Sequence, residues 1–395
     1  MKQFSYRHTL TACYLAYVSQ AVVNNLGPLL FSTFQRQFNI GVGSLALLIS
    51  LNFGIQLLVD LAAVHFVDRI GYRAAAVAAG VFCSVGLCSM GILPFVFKDP
   101  YIGLVIAVVI NAIGGGLLEV LVSPIVEALP LGNKGAAMSL LHSFYCWGFV
   151  AVVLLSTVYF SCIGIEHWRV LPFLWILPPL ASLLLFSRAP MQPLVEDKTG
   201  VAPLRKLFKK RTFLLILLMM ICAGASEQAM CQWASFFAEA GLGVSKVMGD
   251  LLGPCAFAVL MGLSRVFFGT RKGEQPLERI LLGASLLCLT SYLVTVFSPF
   301  PLLSLAGCAF CGLSVGIMWP GTFSLASRIF PLGGTAMFAM FALAGDAGCG
   351  FGPGIVGIVM QETTLNKGLF TATVFPVLMF VGILLQNNRS IAPRP

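Results

Sequence analysis

Glu119, Glu227 and Asp346 each stand well inside a long apolar run of the chain, where a carboxylate is out of place. An ionised side chain at the centre of a bilayer costs about 2.5–3.5 kcal/mol even on the lenient insertion scale. A side chain kept there is paired, faces water, or takes up and releases a proton as water comes and goes. Glu227 and Asp346 have no basic residue nearby in the sequence to explain them, while Glu119 is open to a functional or a paired structural role. His142, the one histidine well inside such a run, suits either a proton relay or an ordinary interhelical hydrogen bond. Asp60 and Glu127 lie nearer the ends of their runs, where a gate or solvated role is expected.

Helical periodicity gathers polar residues around these acids. Asn111, Gly115, Glu119 and Ser123 follow at four-residue steps, and Tyr17, Gln20, Asn24 and Pro28 share a face. Gly224, Gln228, Gln232 and Ser235 form another stripe flanked by Glu227 and Trp233, and Asp346 stands above Gly350 and Gly354. Amides suit hydroxyl groups, and Trp147, Trp233, Trp319, Phe144 and Tyr17 offer flat apolar faces with polar handles. The expected solute-binding residues are therefore Gln20, Asn24, Asn111, Glu119, His142, Trp147, Gln228, Gln232, Trp233 and Trp319. Glu227, Asp346 and Glu119 are the expected proton carriers. Plainer roles stay open, since Asn111 and Asn52 can bond neighbouring helices and a Trp in an apolar run can be packing. No Lys or Arg is expected deep in any run, so an anion would meet acids and no guanidinium to clamp it. A neutral or cationic solute fits better.

Two other motifs carry no chemistry in this context. Gly352-Pro353-Gly354-Ile355-Val356-Gly357 matches the GxGxxG pattern of dinucleotide sites, but it contains Pro and lacks the strand and acid of a βαβ unit. Cys308 and Cys311 form a CxxC inside an apolar run with no His or second pair beside them, which reads as small-residue helix packing. No metal or cofactor is expected, and no nucleotide-binding loop is present to supply ATP drive.

The elements that hold these residues follow from composition. Hydrophobic residues make up 58% of the 395 and charged ones 10%, against about 25% charged in a soluble domain. Apolar runs are placed at 9–33, 44–66, 74–95, 101–129, 134–160, 168–187, 212–237, 247–268, 277–298, 301–327, 335–360 and 368–387. About 20 residues at 1.5 Å each cross a hydrocarbon core of about 30 Å, and helices satisfy their own backbone in lipid. A β-barrel would need short strands of alternating polarity, which are absent from the sequence. An all-α membrane protein of twelve helices is the expected class.

The net charge of +9 is topological rather than a nucleic-acid patch. With the N-terminus inside the cell, only Arg36, Lys98, Arg169, Lys246 and Lys367 of the 24 Lys and Arg fall outside, leaving 19 on the cytoplasmic side. The expected location is the plasma membrane, with several spans and both termini cytoplasmic. The first run carries Asn24 and Asn25 and lacks a small-residue cleavage site, so it reads as an uncleaved span rather than a signal peptide. The twelve cysteines lie almost all within runs, and a disulfide framework belongs to small secreted domains.

One polar stretch, 188–211, holds seven Lys or Arg, two acids and three prolines and parts six runs from six. Domains are thus expected at 1–187 and 212–395, joined by the cytoplasmic linker 188–211. The halves repeat at an offset of roughly 200: Leu131-Gly132 with Ala137-Met138 recurs as Leu332-Gly333 with Ala336-Met337. Asn24 then corresponds to Glu227, Glu119 to Trp319, and the His142–Cys146 stretch to Asp346. Between the second and third runs, Asp68-Arg69-x-Gly71-x-Arg73 resembles the signature loop of the major facilitator superfamily. Val64 stands where that family has a leading Gly, and Tyr72 where a basic residue is usual. Gly224-Ala225-Ser226-Glu227 with Trp233, Leu140-Leu141-His142-Ser143-Phe144, and Gly345-Asp346 leading to Gly352-Pro353 resemble the fucose-permease-like sugar:proton symporters.

The resemblance implies two pseudo-symmetric six-helix bundles, a solute site between them near the midplane, and Asp68, Arg69, Gly71 and Arg73 as a gating loop. Together with the residues above it implies a secondary transporter, not an enzyme, that couples uptake of a neutral sugar or related polar solute to a proton gradient. A proton antiporter that expels drugs or metabolites is the alternative, separated from the first by direction of flux. The partners are the small solute, protons and the bilayer; the protein is expected to be a monomer that binds no nucleic acid.

Overall fold

The structure, a computed structural model, describes residues 4–130, 134–192, 204–270, 276–330 and 334–391. The described residues are overwhelmingly helical and include no strand. Among the described residues, twelve main helices carry the chain back and forth. In the first half these are α1 (Tyr6–Leu29), α2 (Val42–Ile70), α3 (Tyr72–Val96), α4 (Pro100–Ala128), α5 (Lys134–Ile163) and α6 (Leu177–Arg188). In the second they are α7 (Arg211–Phe236), α8 (Ala256–Thr270), α9 (Leu277–Phe297), α10 (Pro301–Ile329), α11 (Gly334–Glu362) and α12 (Val374–Ile391). Short helical turns precede α6, α8 and α12 and lengthen them into Ile165–Arg188, Lys246–Gly269 and Leu365–Asn387.

Eleven of the twelve are long and apolar enough to cross a membrane. The other, α1, is 24 residues long, but His8, Gln20, Asn24 and Asn25 dilute its apolar character. Leu58, Phe297, Leu302, Phe351 and Ile358 are among many large apolar side chains that lie exposed. A surface of that kind fits a lipid-facing exterior.

The chain divides into two compact units, one of residues 1–196 with 245–251 and one of residues 197–244 with 252–395. The linker stretch 193–203 and the repeated Leu131-Gly132 and Leu332-Gly333 lie outside the described residues.

In the first unit α3 and α2 pack on α4, and α1 packs on α5 and α6. Close approach of α2 and α4 depends on Gly116, where an added Cβ would sit 3.0 Å from Gln56 backbone atoms and from Val59. The Ser182 hydroxyl donates to the Ala12 carbonyl at 3.0 Å and ties α6 to α1. The segment 245–251 also belongs to this unit. Its buried Asp250 pairs with Lys246 at 2.8 Å, and Thr157 of α5 donates to the other carboxylate oxygen at 3.5 Å.

In the second unit α7 packs on α11, α9 and α8 pack on α10, and α12 covers α7 and α9. The α7–α11 contact is tightest at Gly348, where a Cβ would fall 2.1 Å from the Ile221 carbonyl oxygen. Tyr292 of α9 donates to the Ser226 carbonyl of α7 at 2.8 Å. Cys308 and Cys311 are buried, Cys311 meets Cys288 of α9 at 3.9 Å between sulfurs, and every cysteine is a free thiol. These thiols take part in the helix packing expected of them.

Candidate functional site

In the first unit α1 and α4 run antiparallel, so residues pair in opposite order along them. Gly115 faces Val23, the Gln20 amide donates to Glu119 Oε2 at 2.7 Å, and the Tyr17 and Ser123 hydroxyls meet at 3.1 Å. Helical periodicity thus sets a polar seam between α1 and α4 around Glu119. On the α2 side, Asn52 and Gln56, one turn apart, both donate to Asn24 Oδ1 at 3.0 and 2.9 Å. The Tyr17 and His142 rings stand 5.4 Å apart, which brings α5 to the same seam.

Two residues take other positions. Asn111 is turned toward α3, against Gly86, and neither of its buried side-chain polar atoms has a hydrogen-bond partner. Trp147 is exposed, next to the Gly148 that packs on α1.

Asp60 corrects an expectation. It was placed toward a gate, yet its carboxylate lies within 4.8 Å of that of Glu119. The reason is helix length. α2 runs on to Ile70, and α2 and α4 are both 29 residues long and start on the same side, which puts Asp60 and Glu119 at equal depth. Gly116 then lets the two helices close, bringing the turn after Val59 beside the turn after Gly116.

In the second unit Glu227 is paired. Arg265 of α8 donates to Glu227 Oε2 at 3.0 Å, and Gln228 donates to Oε1 at 3.3 Å. The expectation of no Lys or Arg deep in any run is therefore wrong. Arg265 stands 38 positions along the chain from Glu227, five residues before the C-terminal end of α8, and the length of its side chain carries the guanidinium to the carboxylate. Gln232 donates to Gln228 Oε1 at 3.0 Å, extending the network along α7.

Trp233 is fully buried and donates its indole N–H to the Pro353 carbonyl of α11 at 2.9 Å. Trp319 lies over Gly345, the neighbour of the buried Asp346: a Cβ on Gly345 would sit 2.2 Å from the indole edge. The units repeat one relation, since the first helix of each bonds to the second: Asn24 to the α2 amides, Glu227 to the α8 guanidinium.

In the loop between α2 and α3, Gly71 has φ +83° and caps α2 by donating to the Val67 carbonyl at 2.8 Å. Arg73 donates to the Phe186 and Ala189 carbonyls, each at 2.8 Å, and so binds the C-terminus of α6. Arg69 is exposed, and the Asp68 side chain lies outside the described residues. Sequence reading missed Arg265, Gln56 and the inward place of Asp60. Asn52 and Gln56 at i, i+4 inside an apolar run was a usable signal for the second of these.

The Major Facilitator Superfamily profile matches residues 13–353. A bacterial homologue of the human lysosomal transporter Spinster, in its inward-facing occupied form, is similar at TM-score 0.77 and 14% identity, covering 97% of each chain. A D-xylose-proton symporter is similar at TM-score 0.74 and 15% identity, over 96% of this chain and 95% of that one. A nucleoside transporter is similar at TM-score 0.70 and 12% identity, over 96% and 99%. At these identities the likeness is one of fold. No curated protein matches by sequence.

Proposed function

We propose that this chain, which belongs to the major facilitator superfamily, takes up a small neutral polar solute, of the sugar or polyol class, together with protons. The superfamily is one of transporters, so the chain is an integral membrane transporter and not an enzyme. The Glu227–Arg265 pair carries the proposal. A carboxylate and a guanidinium in apolar surroundings attract strongly while both are charged. A proton on Glu227 removes one charge, and the attraction that joins α7 to α8 falls to that of an ordinary hydrogen bond. Protonation thus weakens a side-chain tie between two helices, and alternating access requires a coupling site to make and break such a tie.

The amides Gln20, Asn24, Gln228 and Gln232 supply hydrogen bonds to hydroxyls. The short segments around Glu227, His142 and Asp346 favour the fucose-permease-like branch, and a D-xylose-proton symporter shares the fold. Asp346 and Glu119 are further proton sites in this reading. The charge bias of the loops favours cytoplasmic termini and the plasma membrane. Uptake of a panel of sugars, polyols and amines into proteoliposomes, with and without an imposed pH gradient, tests the proposal. Gradient-dependent accumulation of a neutral solute supports it. Export of cationic or apolar compounds, read in everted vesicles, would establish the antiport reading instead.

A further inference from the structure

We propose that the turn joining the short helix Leu204–Phe208 to α7 binds anionic phospholipid headgroups of the adjoining leaflet. Arg205, Lys206, Lys209, Lys210 and Arg211 place five cations within seven positions, and all five are exposed. Among the described residues, none of them pairs with an acid. Glu278, at the start of α9 and so at the same end of the second unit, is engaged by Arg328. The positive-inside bias explains which side of a membrane such cations occupy. It does not explain five of them in one turn with no counter-charge.

The bundle holds this turn in place. Leu207 is 2% exposed and shares one apolar cluster with Phe213, Ile216, Met220 and Phe330. The Phe208 and Phe213 rings meet edge to face at 5.2 Å, and Lys210 Nζ lies 5.4 Å from the centre of the Phe330 ring. Phe213, Ile216 and Met220 mark the inward face of α7, and helical periodicity sets Arg211, Leu214 and Leu218 on the opposite one. Leu214 and Leu218 are 48% and 39% exposed. Apolar side chains exposed on the outward face of a spanning helix meet hydrocarbon, so Arg211 opens that stripe at the depth of the headgroups.

Phosphodiester headgroups supply the missing counter-charge. Arg and Lys hold phosphate oxygens through charge-assisted hydrogen bonds, and Arg does so with two at once. α7 opens with neither an acid in its first turn nor a side-chain cap at Lys210, so its first N–H groups add positive potential at the same place. A zwitterionic headgroup carries its own cation and gains little here, which singles out lipids of net negative charge. Basic clusters beside a spanning helix draw such lipids, each cation raising the affinity about fivefold. The site is separate from the solute and proton reading, and its test needs no transport.

Thermal unfolding of the purified full chain in neutral detergent, titrated with phosphatidylglycerol or with phosphatidylcholine of matched chains, provides that test. Phosphatidylglycerol should raise the melting temperature saturably and at lower concentration, and its advantage should shrink as salt is raised. Lys206→Gln with Lys209→Gln should raise the half-saturating phosphatidylglycerol concentration about 25-fold, two factors of about five. Lys98→Gln with Lys367→Gln removes the same charge from two exposed lysines elsewhere and should leave it unchanged. Lys206→Arg with Lys209→Arg keeps the charge and should keep the affinity, which separates lost binding from lost folding. Equal stabilisation by the two lipids, or equal weakening in the two Gln pairs, overturns the proposal. Loss of affinity in the Arg pair overturns it as well, and an equal shift from glycerol phosphate overturns the lipid assignment in favour of a soluble anion.

Discussion

Replacing Glu227 by Gln keeps the side chain's size and removes the charge that Arg265 faces at 3.0 Å. Removing one partner of a buried pair costs about 3–5 kcal/mol, because the other charge is left without compensation. The Arg265 side chain is 19% exposed against 8% for Glu227, so some solvent screening remains and a loss of about 3 kcal/mol is expected. Adding Arg265→Gln removes the stranded cation, and the double variant should recover about 2 kcal/mol, within the range of direct pair couplings. Thermal unfolding of the four proteins in detergent closes the cycle. Strictly additive losses would show that the pair does not contribute as a unit.

The functional half of the prediction uses the same variants in proteoliposomes. Glu227→Gln should retain counterflow, which needs no net proton movement, and lose accumulation driven by an imposed pH gradient. Restoring stability with the double variant should not restore accumulation, because neither Gln titrates. Asp346→Asn serves as the control for a second proton site and His142→Gln for a relay. Full gradient-driven accumulation in Glu227→Gln would refute the assignment, and Asp346 would then inherit the role.

Cysteines placed at residue 200 and in the loop near Lys98 should be labelled by impermeant reagents from opposite faces of the membrane; labelling from one face would overturn the topology. Gly71→Ala should destabilise the protein by about 1–3 kcal/mol, the cost of holding a side chain in a conformation close to glycine-only space, although nothing lies within 4 Å of the new Cβ at φ +83°. An unchanged melting temperature would show that the loop adapts freely. Gly348→Val, whose Cβ would stand 2.1 Å from the Ile221 carbonyl oxygen, should cost about 1–3 kcal/mol or more by overpacking, read as a lowered melting temperature; no loss would mean that α7 and α11 are not held at this distance.

Hydropathy and periodicity made the helices legible, because both are local: each run carries its own length, and each stripe its own face. The α1–α4 seam was legible for the same reason. Glu119 and Ser123 of one stripe met Gln20 and Tyr17 of the other once two antiparallel helices were set side by side. What the sequence concealed is depth and lateral register between helices far apart in the chain. Glu227 seemed unexplained because its cation lies 38 residues away on α8. Asp60 was misplaced because its depth depends on where α2 ends, four residues beyond the expected 66. Neighbours across a seam are selected by small residues on the facing helix, as Gly116 selects Gln56 and Val59. A polar residue in a membrane run is therefore best read with the glycines of its neighbours. Those glycines decide how near the partner comes, as Gly116 brings the turn of Gln56 and Val59 up to α4 beside Glu119.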